Sequence, residues 1–260
     1  YEFSQFNRAS MALRQPGSTF KLMTYLAALE AGIKPTDTID CSPLTWRGQR
    51  FDSNCEGRLS LTRAFATSNN PAALRLAQRV GLDQVVRQAK ALGITSPLDP
   101  VPGLALGQSE VRLLELTGAY AAVVNQGEWR SPSTIRRLMD GETCREESLR
   151  GCGNLDRANK TGRRAISQNS AQQMQSLLRA VVQDGTGRAA FLGGQEGGKT
   201  GTTNDGRDLL FVGFEPKRHW VLGIWLGNDD NSPSAGSSAL AASLWADIIR
   251  AAGRGGLNGA

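Results

Sequence analysis

The sequence predicts an α+β fold, an antiparallel sheet flanked by helices, in one domain. Three observations predict it. Apolar residues recur at helical spacing through most of the chain up to residue 184. Three short runs with strand character then follow one another closely, and a last helical pattern closes the chain. No repeat and no long linker divides the 260 residues. Many helices, then a strand meander, then a helix is an order that one core accommodates. At roughly 100–200 residues per domain the length allows one large domain or two small ones, and the absence of a linker favours one. The domain is placed at residues 1–252, with 253–260 (GRGGLNGA) as a flexible tail.

The first helix opens at Pro16-Gly17-Ser18, repeats through Leu22, Leu26 and Leu29, and stops at Gly32. Residues 33–58 are polar and turn-rich. LTRAFATSN at 61–69 reads as a second helix. Pro71 suits the first turn of a third, through Val80, because its missing N–H has no helical partner there. A fourth runs from Asp83 to Leu92 and ends at Gly93, and TSPLDPVPG at 95–103 is a loop. Ser109 is expected to cap an amphipathic helix through Val124, stopped by Asn125-Gln126-Gly127. Residues 128–165 form a mixed, Cys-containing excursion. Asn169 or Ser170 opens a helix with Met174, Leu177, Leu178, Val181 and Val182 on one face, ended by Asp184-Gly185. Lys199–Thr203, Leu209–Phe214 and His219–Gly227 read as strands joined by the turns NDGR and EPKR. The final helix is expected over Ser238–Ala251.

Composition removes several classes. With 40% hydrophobic and 21% charged residues the chain is ordinary globular, neither collagen-like nor disordered. Apolar stretches are broken well before ~18 residues, so no transmembrane helix is expected. The opening YEFSQFNRAS lacks a basic start followed by an apolar run, and there is no initiator Met. The chain therefore reads as a piece of a longer protein, with any anchor or export signal upstream. The net charge of +6 comes from scattered basic residues, with pairs at Arg136-Arg137 and Arg163-Arg164, and forms no basic stripe with aromatics for nucleic acid. Cys41, Cys55, Cys144 and Cys152 contain no C-x-x-C, and the single His219 is remote in sequence, which argues against zinc. Their spacing suits two short disulfide loops, 41 to 55 and 144 to 152, in an oxidising compartment. Four reduced thiols and the other pairings stay open.

Three short motifs carry chemistry. Ser18 and Lys21 lie three apart, hence on one helix face, with Ser18 at the helix start. There the free N–H groups favour developing negative charge, and an amine held neutral can take the Ser proton. S-x-x-K alone is common by chance; PGS at the helix start raises it. Ser68-Asn69-Asn70 lies between two helices, so the Ser68 hydroxyl and the Asn70 amide can reach one cleft. As a lone tripeptide it is ordinary turn chemistry. Gly198-Lys199-Thr200-Gly201-Thr202-Thr203 opens the first strand of the meander. Its Lys offers a cation to a carboxylate, its small residues let a peptide approach, and a strand N–H can serve an oxyanion. A second Lys-Thr-Gly, at 160–162, is followed by Arg163-Arg164 and no strand, and is set aside.

Ser-x-x-Lys, Ser-x-Asn and Lys-Thr-Gly in this order are the set of penicillin-binding proteins and class A β-lactamases. The chain resembles the transpeptidase domain of class A (bifunctional) penicillin-binding proteins over nearly all of 1–252. Besides the motifs, the similar segments are SQFNRASMALRQPGSTFK (4–21), SEVRLLELTGAYA (109–121), DGTGRAA (184–190), GGKTGTTNDGRDLLFVGF (197–214) and WLGNDD (225–230). The resemblance implies the penicillin-binding-protein/serine β-lactamase-like fold. It also implies D,D-transpeptidation of peptidoglycan through an acyl-serine. Ser18 would be acylated, Lys21 would accept its proton, and Ser68 would relay a proton to the leaving D-alanine. Asn70 would hold the donor peptide, and Lys199 and Thr200 would orient the terminal carboxylate. The N–H groups of Ser18 and Thr202 would bind the oxyanion, and Gly201 and Thr203 would line the substrate strand. The implied partners are stem peptides ending in D-Ala-D-Ala and β-lactam antibiotics, with no cofactor, no metal and no nucleic acid. An upstream glycosyltransferase domain and membrane anchor would place the chain on the extracytoplasmic face. The chain departs from the family pattern in one respect: two strands usually precede the Ser-x-x-Lys helix, and the residues before Ser18 do not contain them. A three-strand sheet with an open edge is therefore expected, and such an edge is a liability. The competing readings are a serine β-lactamase, which needs a Glu and a water to deacylate, and a β-lactam sensor. Glu110 and Glu115 are the nearest such acids, but both fall on the expected 109–124 helix.

Overall fold

The first element of the fold that bears on the chemistry is a single buried helix. The computed structural model describes residues 5–133, 139–140, 143–144 and 162–254. A short helix α1 (Arg8–Met11) precedes a 3-10 turn over Gly17–Phe20, which runs straight into α2 (Lys21–Glu30). The helix expected from Ser18 thus begins as a tighter turn. Every residue of α2 from Lys21 to Leu29 is buried. A helix that is apolar nearly all round belongs at the centre of a core. Leu22, Leu26 and Leu29, each worth about 1.5–3 kcal/mol when fully buried, anchor the turn that carries Ser18.

The polar region after α2 holds four three-residue strands that the sequence pattern did not reveal. β1 (Thr38–Asp40) pairs with β4 (Arg58–Ser60), and β2 (Leu44–Trp46) with β3 (Gln49–Phe51), both antiparallel. Three residues are too few to show a period of two. A Cys41–Cys55 disulfide closes this excursion, with Cα atoms 5.6 Å apart. The expected Cys144–Cys152 pairing lies outside the described residues. Helices α3 (Leu61–Ala66), α4 (Asn70–Val80) and α5 (Leu82–Ala91) follow. The first is shorter than the expected 61–69, because Ser68 takes left-handed backbone, φ 57°.

The helix expected from Ser109 starts later, as α6 (Leu113–Val124). Val111 exchanges both main-chain hydrogen bonds with Arg14, at 2.9 and 3.1 Å, which holds the preceding residues extended. Glu110 therefore sits on an extended segment and not on a helix. Next comes α7 (Gln168–Asp184), capped by the Ser167 hydroxyl accepting from the Ser170 N–H.

The meander is present as β5 (Gly197–Thr202), β6 (Asp208–Glu215) and β7 (Trp220–Gly227), antiparallel in the order β7-β6-β5. His219, expected to open the last strand, instead closes the turn before it with φ 57°. On β6, Leu210, Val212 and Phe214 face the helical core, while Phe211 faces α8 (Ser238–Arg254) and meets Trp245 edge-on at 5.5 Å. This alternation sandwiches the sheet between α8 and the helices of the first half. Helix α8 runs beyond Ala251 into the expected tail. Among the described residues no strand pairs with the outer edge of β7. An apolar groove of about 360 Å³ runs along it, lined in part by Leu116, Leu222, Trp225, Leu244 and Ile248.

Candidate active site

Ser68 is placed by a helix ending. After α3, the Ser68 N–H donates to Phe65 O at 3.0 Å and the Asn69 N–H to Ala64 O at 2.9 Å. This paired closure calls for a left-handed residue, usually Gly. Serine occupies the position here, and a non-glycine residue in left-handed backbone costs roughly 1–2 kcal/mol. The next residue, Asn69, caps α4 by accepting from the Ala72 N–H at 2.8 Å. Ser68 and Asn70 are thus held between two helix ends.

Both point at Lys21. Its Nζ donates to Ser68 O and Asn70 Oδ1, each at 2.6 Å, and lies 3.2 Å from Ser68 Oγ. Lys199 reaches the same hydroxyl from β5, with Nζ 2.9 Å from Ser68 Oγ and 3.2 Å from Thr200 O. The Phe65 ring lies 5.7 Å from that Nζ, within cation–π range. Both lysines are fully buried, and among the described residues neither contacts a carboxylate. Burial and the neighbouring Lys199 charge hold Lys21 well below the usual lysine range. Burial lowers Lys199 to about 7. Two ammonium groups sharing one hydroxyl in a dry site favour a state in which one amine is neutral. A neutral Lys21 keeps two donors for Ser68 O and Asn70 Oδ1 and frees a lone pair.

Ser18 is half-buried in the 3-10 turn, and β5 passes directly beside it. A Cβ on Gly201 would lie 2.6 Å from Pro16 O, and one on Gly17 would lie 2.8 Å from Thr202 O. Gly17 also has φ 51°. These two glycines let the main chains of the turn and the strand touch. The Thr203 N–H donates across the ladder to Asp208 O at 3.1 Å. Antiparallel pairing alternates, so the N–H and C=O of Thr202 face the other edge, toward the Ser18 turn. Thr200 is buried, and its hydroxyl shares a 2.6 Å hydrogen bond with that of Thr186.

The structure therefore gathers Ser68, Asn70, Lys21 and Lys199 by direct hydrogen bonds, and brings Gly201 and Thr202 against the Ser18 turn. Thr203 is not among them: its hydroxyl, buried with the residue, donates to Asp208 Oδ2 at 3.2 Å and accepts from the Asp208 N–H. Glu115 is occupied by Thr95, Ser96 and Arg112. Sequence reasoning missed Phe65, Thr186 and Asn69. It also missed Ser53, whose hydroxyl accepts from Asn69 Nδ2 at 3.2 Å. The only signals were the DGTG turn at 184–187 for Thr186, and the place of Asn69 inside the Ser-x-Asn turn.

The sequence matches the model of the penicillin binding protein transpeptidase domain over residues 3–250. It is 36% identical, over 265 aligned positions, to penicillin-binding protein 1A of Aquifex aeolicus, covering 96% of this chain and 35% of that protein. The chain thus spans about a third of the length of the curated relatives it matches. Penicillin-binding protein PonA1 of Mycobacterium tuberculosis superposes with a TM-score of 0.82 at 25% identity, covering 99% of this chain and 72% of that one. The imipenem acyl-enzyme of penicillin-binding protein A from the same organism gives 0.76 at 25% identity, covering 95% and 62%. Motif order, sheet and lysine-lined cleft agree with this likeness across almost the whole chain, which belongs to the penicillin-binding-protein transpeptidase family.

Proposed function

We propose that this chain is a D,D-transpeptidase, cross-linking peptidoglycan stem peptides through an acyl-enzyme on Ser18. The observation that carries the reading is one hydroxyl, Ser68 Oγ, bonded to two buried lysines beside the Ser18 turn. Ser18 Oγ attacks the carbonyl between the two terminal D-alanines and gives its proton to neutral Lys21. The N–H groups of Ser18 and Thr202 hold the tetrahedral oxyanion. The C–N bond breaks, and the departing D-alanine amine takes a proton through Ser68. An amine of a second stem peptide then attacks the ester, loses a proton to the same base, and returns Ser18 to its hydroxyl form. Lys199, as the ammonium, pairs with the donor carboxylate, Thr200 hydrogen-bonds beside it, Asn70 holds the donor amide, and Gly201 lets the strand lie against the Ser18 turn.

A β-lactam presents a strained amide and a carboxylate to the same groups. Its ring opens on Ser18, and the leaving nitrogen stays tethered by the rest of the opened molecule; the relative solved with imipenem is likewise an acyl-enzyme. The Cys41–Cys55 disulfide suits the extracytoplasmic face, where a glycosyltransferase domain and an anchor in the same polypeptide would hold the chain at its substrate. Mass spectrometry after penicillin treatment tests the assignment. The expected result is one penicilloyl adduct on Ser18; an adduct elsewhere, or none on folded protein, overturns it.

A further inference from the structure

Asp208 is a nearly fully buried carboxylate just past the turn that follows β5, its side chain 4% exposed. A buried charge needs partners, and three reach it. Trp225 Nε1 donates to Oδ1 at 2.7 Å, and the Thr203 hydroxyl to Oδ2 at 3.2 Å. Arg14 Nε lies 3.8 Å from Oδ1. The Arg14 guanidinium also sits 4.7 Å over the Trp225 ring, donates to Asn231 Oδ1 at 3.1 Å, and bonds Asn228 O. Nothing in the mechanism above uses this cluster.

Its position along the chain suggests a purpose. Arg14 lies four residues before Ser18, with Pro16 stiffening the path between them. Asp208 pins Thr203 through the main chain and the hydroxyl, and Thr203 follows Thr202 directly. We infer that Arg14, Asp208 and Trp225 form a positioning clamp. It sets the separation of the two segments that supply the oxyanion N–H groups, the Ser18 turn and the end of β5. The inference rests on the transpeptidase reading of Ser18. The two glycine contacts make the clamp consequential. With Gly17 and Gly201 already in main-chain contact across the gap, a shift at either end passes directly to a donor. Oxyanion donors work within a few tenths of an ångström, and a misplacement of about 1 Å costs about a hundredfold in rate.

The test is rapid-mixing acylation by a fluorescent penicillin, using the full-length protein. It separates the dissociation constant of the non-covalent complex from the acylation rate constant. Arg14→Met, Asp208→Asn and Trp225→Phe are compared with the unsubstituted protein; the last keeps an aromatic ring beside the guanidinium and removes the N–H to Asp208 together with one ring of the indole. A clamp predicts acylation rate constants lowered by about ten- to a hundredfold, with dissociation constants held within about twofold. Arg14→Lys should recover part of the loss, since it keeps the charge without the planar fork. Rate constants within about twofold of the unsubstituted protein in variants that melt normally overturn the clamp. So does a proportional loss of affinity and rate. If Asp208→Asn or Arg14→Met does not fold, Trp225→Phe decides. An unsubstituted protein that takes no label on Ser18 refutes the transpeptidase reading instead, and is told apart by the adduct map.

Discussion

Helices α2, α5 and α3 end in the same way and serve different purposes. At the first two, Gly32 and Gly93 take left-handed backbone, φ 86° and 93°. The hydrogen bonds Gly32 N–H to Leu29 O, Ile33 N–H to Ala28 O, Gly93 N–H to Lys90 O and Ile94 N–H to Ala89 O close the two turns. The third carries the identical pair of bonds with Ser68 in the glycine's place. Glycine there is the unstrained choice. A serine accepts local strain, and what it gains is a hydroxyl aimed between two buried lysines. Residues held in costly backbone tend to cluster where chemistry is done, and Ser68 is such a position, with Gly32 and Gly93 as its unstrained counterparts in the same chain.

Substitution at Ser68 should have the greatest consequence. Ser68→Gly makes the three endings alike. It should leave the thermal midpoint within a few degrees, because relieved strain offsets the lost hydrogen bonds. Acylation by penicillin should fall by about a hundredfold or more, the scale of a lost proton relay. Retained acylation with normal folding would show that Ser68 serves only the turn.

A smaller effect is expected from the amine that Ser68 faces. Burial brings Lys199 to about 7, so its ammonium is lost as pH rises through that value. Acylation efficiency at low penicillin should therefore fall above pH 7, approaching about tenfold per pH unit for a single required proton. Lys199→Arg, which does not deprotonate, should flatten this limb on a lower absolute rate. A limb that persists in the arginine variant assigns it to another group.

The least effect on chemistry is expected at the two glycines. A Cβ at Gly93 would lie 2.1 Å from Trp129 Nε1, whereas among the described residues nothing beyond the chain neighbours lies within 4 Å of one at Gly32. Gly32→Ala should cost about 1 kcal/mol of stability, and Gly93→Ala about 1–2 kcal/mol more, read from denaturant midpoints. Rates per folded molecule should not change. Equal costs at the two positions would mean that the Trp129 ring yields freely.

Much of this was legible in residue order. The three strands of the sheet were placed to within two residues, because each is a short apolar run of strand length and the turns NDGR and EPKR bound them. Ser18, Lys21, Ser68, Asn70 and Lys199 stood out because three weak motifs share one order. What was not legible depends on contacts between distant segments. The extended stretch ending at Val111 exists because Arg14 pairs with it, and no local pattern around Ser109 encodes that partner. Thr203 looked like part of the substrate strand, but Asp208, five residues later, claims its hydroxyl. Phe65 and Thr186 belong to the lysine site only because α3 and the turn after α7 meet β5 in space.

The two buried lysines have a consequence beyond reactivity. Bringing two amines into a dry cleft where, among the described residues, no carboxylate meets them leaves unfavourable desolvation in the native state. A ligand carboxylate that enters supplies the missing counter-charge and lowers the free energy of the folded form alone. Affinity for an anionic ligand and resistance to unfolding are then two readings of one quantity. A protein drifting toward greater intrinsic stability at these positions would lose its preference for anions by the same substitution.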